Sequence, residues 1–171
     1  MLLKKAIYWI DNINEWSGHM AAWLILLMVL IIVYQASMVA LFAIGSVALQ
    51  ELQWHLFAIL FLIGAGYTLK HDEHVRVDIV YKSHWLTNRH RAWIDLLGGL
   101  FFLIPFCMLI IIATWPFVHN AFIYAESSPD PGGLPYRFLL KAMIMLGFIL
   151  LMLQGIANSL KNLLYLLEEQ D

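Results

Sequence analysis

Apolar residues in this chain come in long runs that charges only punctuate. No Asp, Glu, Lys or Arg occurs from Trp16 to Gln50, from Leu52 to Leu69, from Leu96 to Ala125 or from Ala142 to Leu160, runs of 35, 18, 30 and 19 residues. A helix needs about 20 apolar residues to cross the hydrocarbon core of a bilayer. Lipid offers the backbone no hydrogen-bond partner, so each run predicts a helix that satisfies itself. The expectation is an all-α membrane protein, a single domain over 1–171 with four transmembrane helices near 19–44, 52–69, 95–117 and 138–160.

The runs differ in detail. At 1.5 Å per residue the first is too long for a perpendicular span, so it tilts or stops near Gly45-Ser46. The second carries Trp54-His55 and Tyr67 as interface anchors. Pro105 and Pro116 can each kink the third. The fourth follows Pro135, a residue suited to a first helical turn. It places Gly147, Leu151, Gly155 and Ser159 at i, i+4 spacing, a row of mostly small residues that lets another helix approach closely, bordered by Gln154 and Asn158. Before the first run, "KKAIYWIDNINEW" predicts a short amphipathic helix on the membrane surface, with Ile7, Ile10 and Ile13 toward lipid. Asp11, Asn12, Asn14 and Glu15 interrupt any apolar core there, which argues against a cleaved signal.

Composition agrees with the pattern: 62% of residues are hydrophobic and 13% charged, where soluble domains are nearer one half and one quarter. A net charge of −2 argues against a nucleic-acid partner, which would require a basic patch. Cys107 is the one cysteine, so no internal disulfide or cysteine metal site is expected. With four spans, the termini and the middle loop share a side. That side holds Lys4, Lys5, Lys70, Arg76, Lys82, Arg89, Arg91 and Lys161, against Arg137 and Lys141 on the other. Positive residues stay cytoplasmic, so the termini are expected inside and "YAESSPDPGGLPYR" outside.

The middle passage "TLKHDEHVRVDIVYKSHW" holds most of the interior charges. It is expected as an interfacial segment on the inner leaflet, its basic residues near anionic membrane lipids. Asp78 suits the N-cap of a short helix from Ile79, and Thr87 the N-cap of the third span. A second reading is that Arg76 and Asp78 bind a partner or each other.

Catalytic chemistry is sparse. Glu51 and Asp95 sit at run boundaries, and the deep polar groups are Tyr34, Gln35, Ser37 and Gln154. For Gln35 a helix–helix hydrogen bond is expected. Four unrepeated spans without a buried charge make a poor transporter alone. His55 and His119 raise a haem reading, that of a membrane anchor in a redox complex, and are otherwise interfacial rings. The remaining profile is an accessory subunit with no enzymatic activity, no cofactor and no metal.

Two blocks carry a family resemblance: "ELQWHLFAILFLIGAGYTLKHDEHVRVDIVY" at 51–81 and "SSPDPGGLPYRFLLKAMIMLGFILLMLQGI" at 127–156, joined by "RAWIDLLGGLFFLIPF". The chain resembles the small, DctQ-like membrane subunit of TRAP transporters. The resemblance implies a bacterial inner-membrane scaffold for a large membrane subunit. That subunit takes an organic anion from an extracytoplasmic binding protein, usually with sodium. It also implies assembly roles, with Glu51, Trp54, Arg76, Asp78, Gly147, Gln154 and Gly155 as the interface candidates.

Overall fold

The computed structural model describes residues 2–73 and 86–168. Four helices long and apolar enough to cross a membrane account for nearly all of them: α1 (Leu2–Phe42), α2 (Val47–Lys70), α3 (Asn88–Ile123) and α4 (Phe138–Glu168). No strand occurs among the described residues.

The helix ends follow local chemistry. Ser46 caps α2, its hydroxyl accepting from the Leu49 N–H, and Thr87 caps α3 by accepting from the His90 N–H, as expected. Within α3 the ladder widens to a π turn at Gly99–Leu103, and the Ile104 N–H reaches back to the Gly99 carbonyl. Pro105 follows at once and has no N–H to continue the α ladder, which accounts for the displaced bonding. Pro116 lies inside the helix that continues to Ile123. Pro135 precedes α4 by three residues and belongs to the loop between α3 and α4, not to the first helical turn.

The N-terminal segment differs most from expectation. It is continuous with the first span, since α1 runs unbroken for 41 residues, about 62 Å. Ile7, Asn14, Ser17 and Ala21 form a buried stripe on it, while Ile13 is exposed. Ile7 therefore faces protein instead of lipid. Seven-residue spacing keeps Ile7, Asn14 and Ala21 on one face; on it Asn14 donates to the Ile10 carbonyl and Ser17 to the Asn14 carbonyl of the same helix, while Asp11 beside them accepts from Gln154 of α4. Helix α1 ends at Phe42, and residues 43–46 turn the chain into α2, close to the expected stop.

Helix α4 is the hub, packing against α1, α2 and α3. Small residues set the separations. A Cβ on Gly147 would lie 2.8 Å from the Leu62 carbonyl oxygen of α2, and one on Gly155 2.8 Å from Leu103 of α3. Gly66 and Gly18 bring α1 and α2 together, against Asn14 and the Tyr67 ring.

Candidate functional site

Three features distinguish this bundle from a bare set of spans. The first is at the end of the bundle away from the chain termini. Glu51 sits in the first turns of α2, below the charge-free stretch that crosses the membrane, and is 5% exposed. Its carboxylate accepts from the Ser128 hydroxyl and, at 2.7 Å, from the Leu134 N–H. Both donors belong to the "SSPDPGGLP" loop, about eighty residues away in sequence. These two hydrogen bonds, the Ser128 one first, hold the Glu51 carboxyl below the usual carboxylate range. The loop is folded on itself by Ser128 N–H to Leu134 O and Gly133 N–H to Asp130 O, each 3.0 Å. Gly132 adopts φ +80°, and a Cβ on Gly133 would meet Ser128 and Glu51, so both glycines are required by the fit. Glu126 pairs with Lys141 and so ties the loop to α4.

The second feature is a polar cluster at the opposite end. Asp11 Oδ1 accepts from Lys161 Nζ at 2.8 Å and from Gln154 Nε2 at 3.0 Å. Gln154 Nε2 also donates to Asn158 Oδ1, and Asn158 donates to the Leu69 carbonyl at 3.2 Å. Glu15, just before the charge-free stretch of α1, binds Lys70 Nζ at 2.5 Å and His71 Nε2 at 2.9 Å. The Lys70 and His71 contacts pull the Glu15 carboxyl down to about 2. Asp11 and Glu15 lie one turn apart on α1, so one helix face is fastened to α4 at one point and to α2 at the other.

The third feature is the exposed apolar surface. Beyond Ala21 no residue of α1 is buried, and Leu30, Val33 and Leu41 stand clear of the rest of the chain. Phe101, Phe102 and Ile112 do so on α3.

The sequence-derived candidates divide among these features. Gln154 is fully buried, and Gly147 and Gly155 pack against α2 and α3 of this same chain. Glu51 holds the loop between α3 and α4, and Trp54 is exposed on α2. Arg76 and Asp78, with the short helix expected from Ile79, lie outside the described residues. Gln35 does make the expected interhelical bonds, to the Ser46 carbonyl and from Gln53 Nε2. His55 Nδ1 lies 2.6 Å from the Glu51 carbonyl and His119 stacks near Trp115. No group of three or more His, Cys, Asp or Glu poised to hold a metal occurs among the described residues.

Sequence reasoning missed Asp11, Glu15 and Ser128. The acidic pair at i, i+4 did carry a signal, because the lysines at the ends of the second and fourth runs belong to the same side of the membrane. Nothing local to Ser128 pointed to Glu51.

Curated proteins yield no match to this sequence. A family model does: that of the tripartite ATP-independent periplasmic transporters, DctQ component, over residues 28–164. The matched region takes in the C-terminal part of α1, all of α2 and α3, the Glu51-bound loop and most of α4, so the chain belongs to the DctQ family, the small membrane component of TRAP transporters.

Proposed function

We propose that this chain is the scaffold of its transporter. It holds the large membrane subunit in the bilayer during sodium-coupled uptake of an organic solute of the carboxylate class, handed over by an extracytoplasmic binding protein. One observation carries this reading: Asp11, Glu15, Lys70 and Lys161 pair within the bundle, while the membrane-spanning parts of α1 and α3 leave broad apolar faces uncovered. A subunit built this way offers a partner shape and area, with its charges held at the ends of the spans. The Lys and Arg distribution supports cytoplasmic termini and an extracytoplasmic loop at 126–137.

Arg76 and Asp78 belong to this reading as assembly residues. A guanidinium beside the end of a span is suited to a carboxylate or to helix-terminal carbonyls of the large subunit, and Asp78 to capping the following turn. The test is mild-detergent affinity purification of the chain, wild type and with Arg76→Ala or Asp78→Ala. Wild type is expected to bring down a large polytopic membrane subunit, and the variants less of it. Recovery of haem-bearing or iron–sulfur subunits instead would overturn the proposal.

A further inference from the structure

Helix α3 does not keep one hydrogen-bond ladder through the membrane. At Gly99–Leu103 it widens to a π turn, and the Ile104 N–H passes over the Leu100 carbonyl to reach that of Gly99. The α ladder resumes with Leu103 as its first acceptor, taking the N–H of Cys107. Between these two bonds lie the carbonyls of Leu100, Phe101 and Phe102. The residues between Ile104 and Cys107 are Pro105 and Phe106, and proline has no N–H. One N–H therefore serves three carbonyls, and two of them are left without a helical donor.

Their position makes this costly. Gly99 and Leu103 face α4, where a Cβ on Gly99 would meet Ser159 and where Leu103 packs against Gly155. The residues between them complete the turn on the other side, and Leu100, Phe101 and Phe102 are 48%, 64% and 77% exposed. Among the described residues, no side chain and no backbone group outside the helix donates to these carbonyls. Phe101 is six residues beyond Asp95, about 9 Å further into the charge-free run. Hydrocarbon has no donor to offer a backbone oxygen there.

We propose that this turn is a docking point for a transmembrane helix of the large subunit, and that the helix presents an uncharged hydrogen-bond donor to it. A Ser or Thr hydroxyl, an Asn or Gln amide, or a Trp indole has the required chemistry. The inference rests on the scaffold reading above and adds where, and by which groups, the partner is held. The unpaired carbonyl oxygens put partial negative charge on an otherwise apolar face, and the complement is an O–H or N–H set among apolar side chains. A carboxylate has no donor, and a Lys or Arg would bring a full charge into hydrocarbon with no counter-charge beside it. Apolar neighbours of the donor then cover Phe101 and Phe102.

The experiment compares the full-length chain with two variants, each affinity-purified in mild detergent. Pro105→Ala restores one N–H. Pro105→Ala combined with deletion of Phe101 also shortens the turn by one residue, which returns the ladder to α bonding and keeps Phe102. Because both variants pair carbonyls within the helix, the lone chain should unfold at or above the wild-type temperature. Recovery of the large subunit should nevertheless fall, about fivefold for the double change and less for Pro105→Ala. A benzophenone photocrosslinker in place of Phe102 should label the large subunit. Wild-type recovery by both variants would overturn the proposal, and so would labelling of lipid alone. A lower unfolding temperature for Pro105→Ala would also overturn it, by showing that the carbonyls do not lack a donor. Failure of wild type itself to bring down a large subunit would instead remove the scaffold reading, and this proposal with it.

Discussion

The two halves of α1 behave as different materials. From Ile7 to Ala21 the helix buries a stripe, and Asp11 and Glu15 bind Lys161, Gln154, Lys70 and His71. From Ala22 to Phe42 it buries nothing, although this is its most apolar stretch. In water the order would be reversed, since apolar surface is what folding hides. In lipid, side chains such as Leu30 gain little by leaving the hydrocarbon, whereas an amide or carboxylate gains a great deal from a partner. The half before Ala22 therefore holds the subunit together, and the half beyond it, Gln35 apart, is left for lipid or another subunit.

The largest effect expected concerns the closest helix approach. Gly147→Leu drives a side chain into the Leu62 backbone, which cannot give way as a flexible side chain would. We expect a loss of about 3 kcal/mol or more in the stability of the lone chain, read by thermal unfolding in detergent. Normal stability with poor recovery of the large subunit would instead place this row at the partner interface.

Next comes a direct contrast between the halves. Gln154→Ala removes bonds to Asp11 and Asn158 at a fully buried site, and about 2 kcal/mol is expected to be lost. Leu30→Ala, at an exposed site, should change the lone chain by less than about 0.5 kcal/mol. If Leu30→Ala proved as costly as Gln154→Ala, the division between the halves would fail.

A smaller, local effect is expected at the Glu51-bound loop. Glu51→Gln leaves one acceptor where the carboxylate offered two, with an NH₂ group facing the Ser128 hydroxyl or the Leu134 N–H. The bundle should remain folded while trypsin cleaves at Arg137 faster than in wild type. Unchanged cleavage would mean that the loop does not depend on Glu51.

The smallest effect is a pH dependence. The folded Glu15 carboxyl titrates near 2, below its usual value of 4.5, so its contribution to stability is complete above pH 4.5 and is lost as the pH falls toward 2. Unfolding temperatures of wild type and Glu15→Gln should converge over that window. A constant gap would show that the carboxylate charge is not what binds Lys70 and His71.

The four spans were legible because a charge in hydrocarbon is so costly that its absence over about 20 residues is itself a signal. The caps Ser46 and Thr87 act locally, and Thr87 could be read directly. What escaped was pairing over distance. The row at Gly147 and Gly155 announced a close approach, but spacing on one helix does not say which helix approaches. Glu51 read as a boundary residue because its donors lie far along the chain. The N-terminal segment read as a surface helix because Ile7, Ile10 and Ile13 suggest an apolar face. That segment instead packs Asn14 and Ser17 against the bundle, and Asp11 beside them takes its partners Gln154 and Lys161 from α4.

The most direct test of the central claim is uptake in reconstituted vesicles. The chain alone and the chain with its co-purified large subunit are each supplied with substrate-loaded binding protein and an inward sodium gradient. The account predicts no uptake by the chain alone, uptake by the pair, and less by the large subunit without this chain. Sodium-dependent uptake by the chain alone would contradict it.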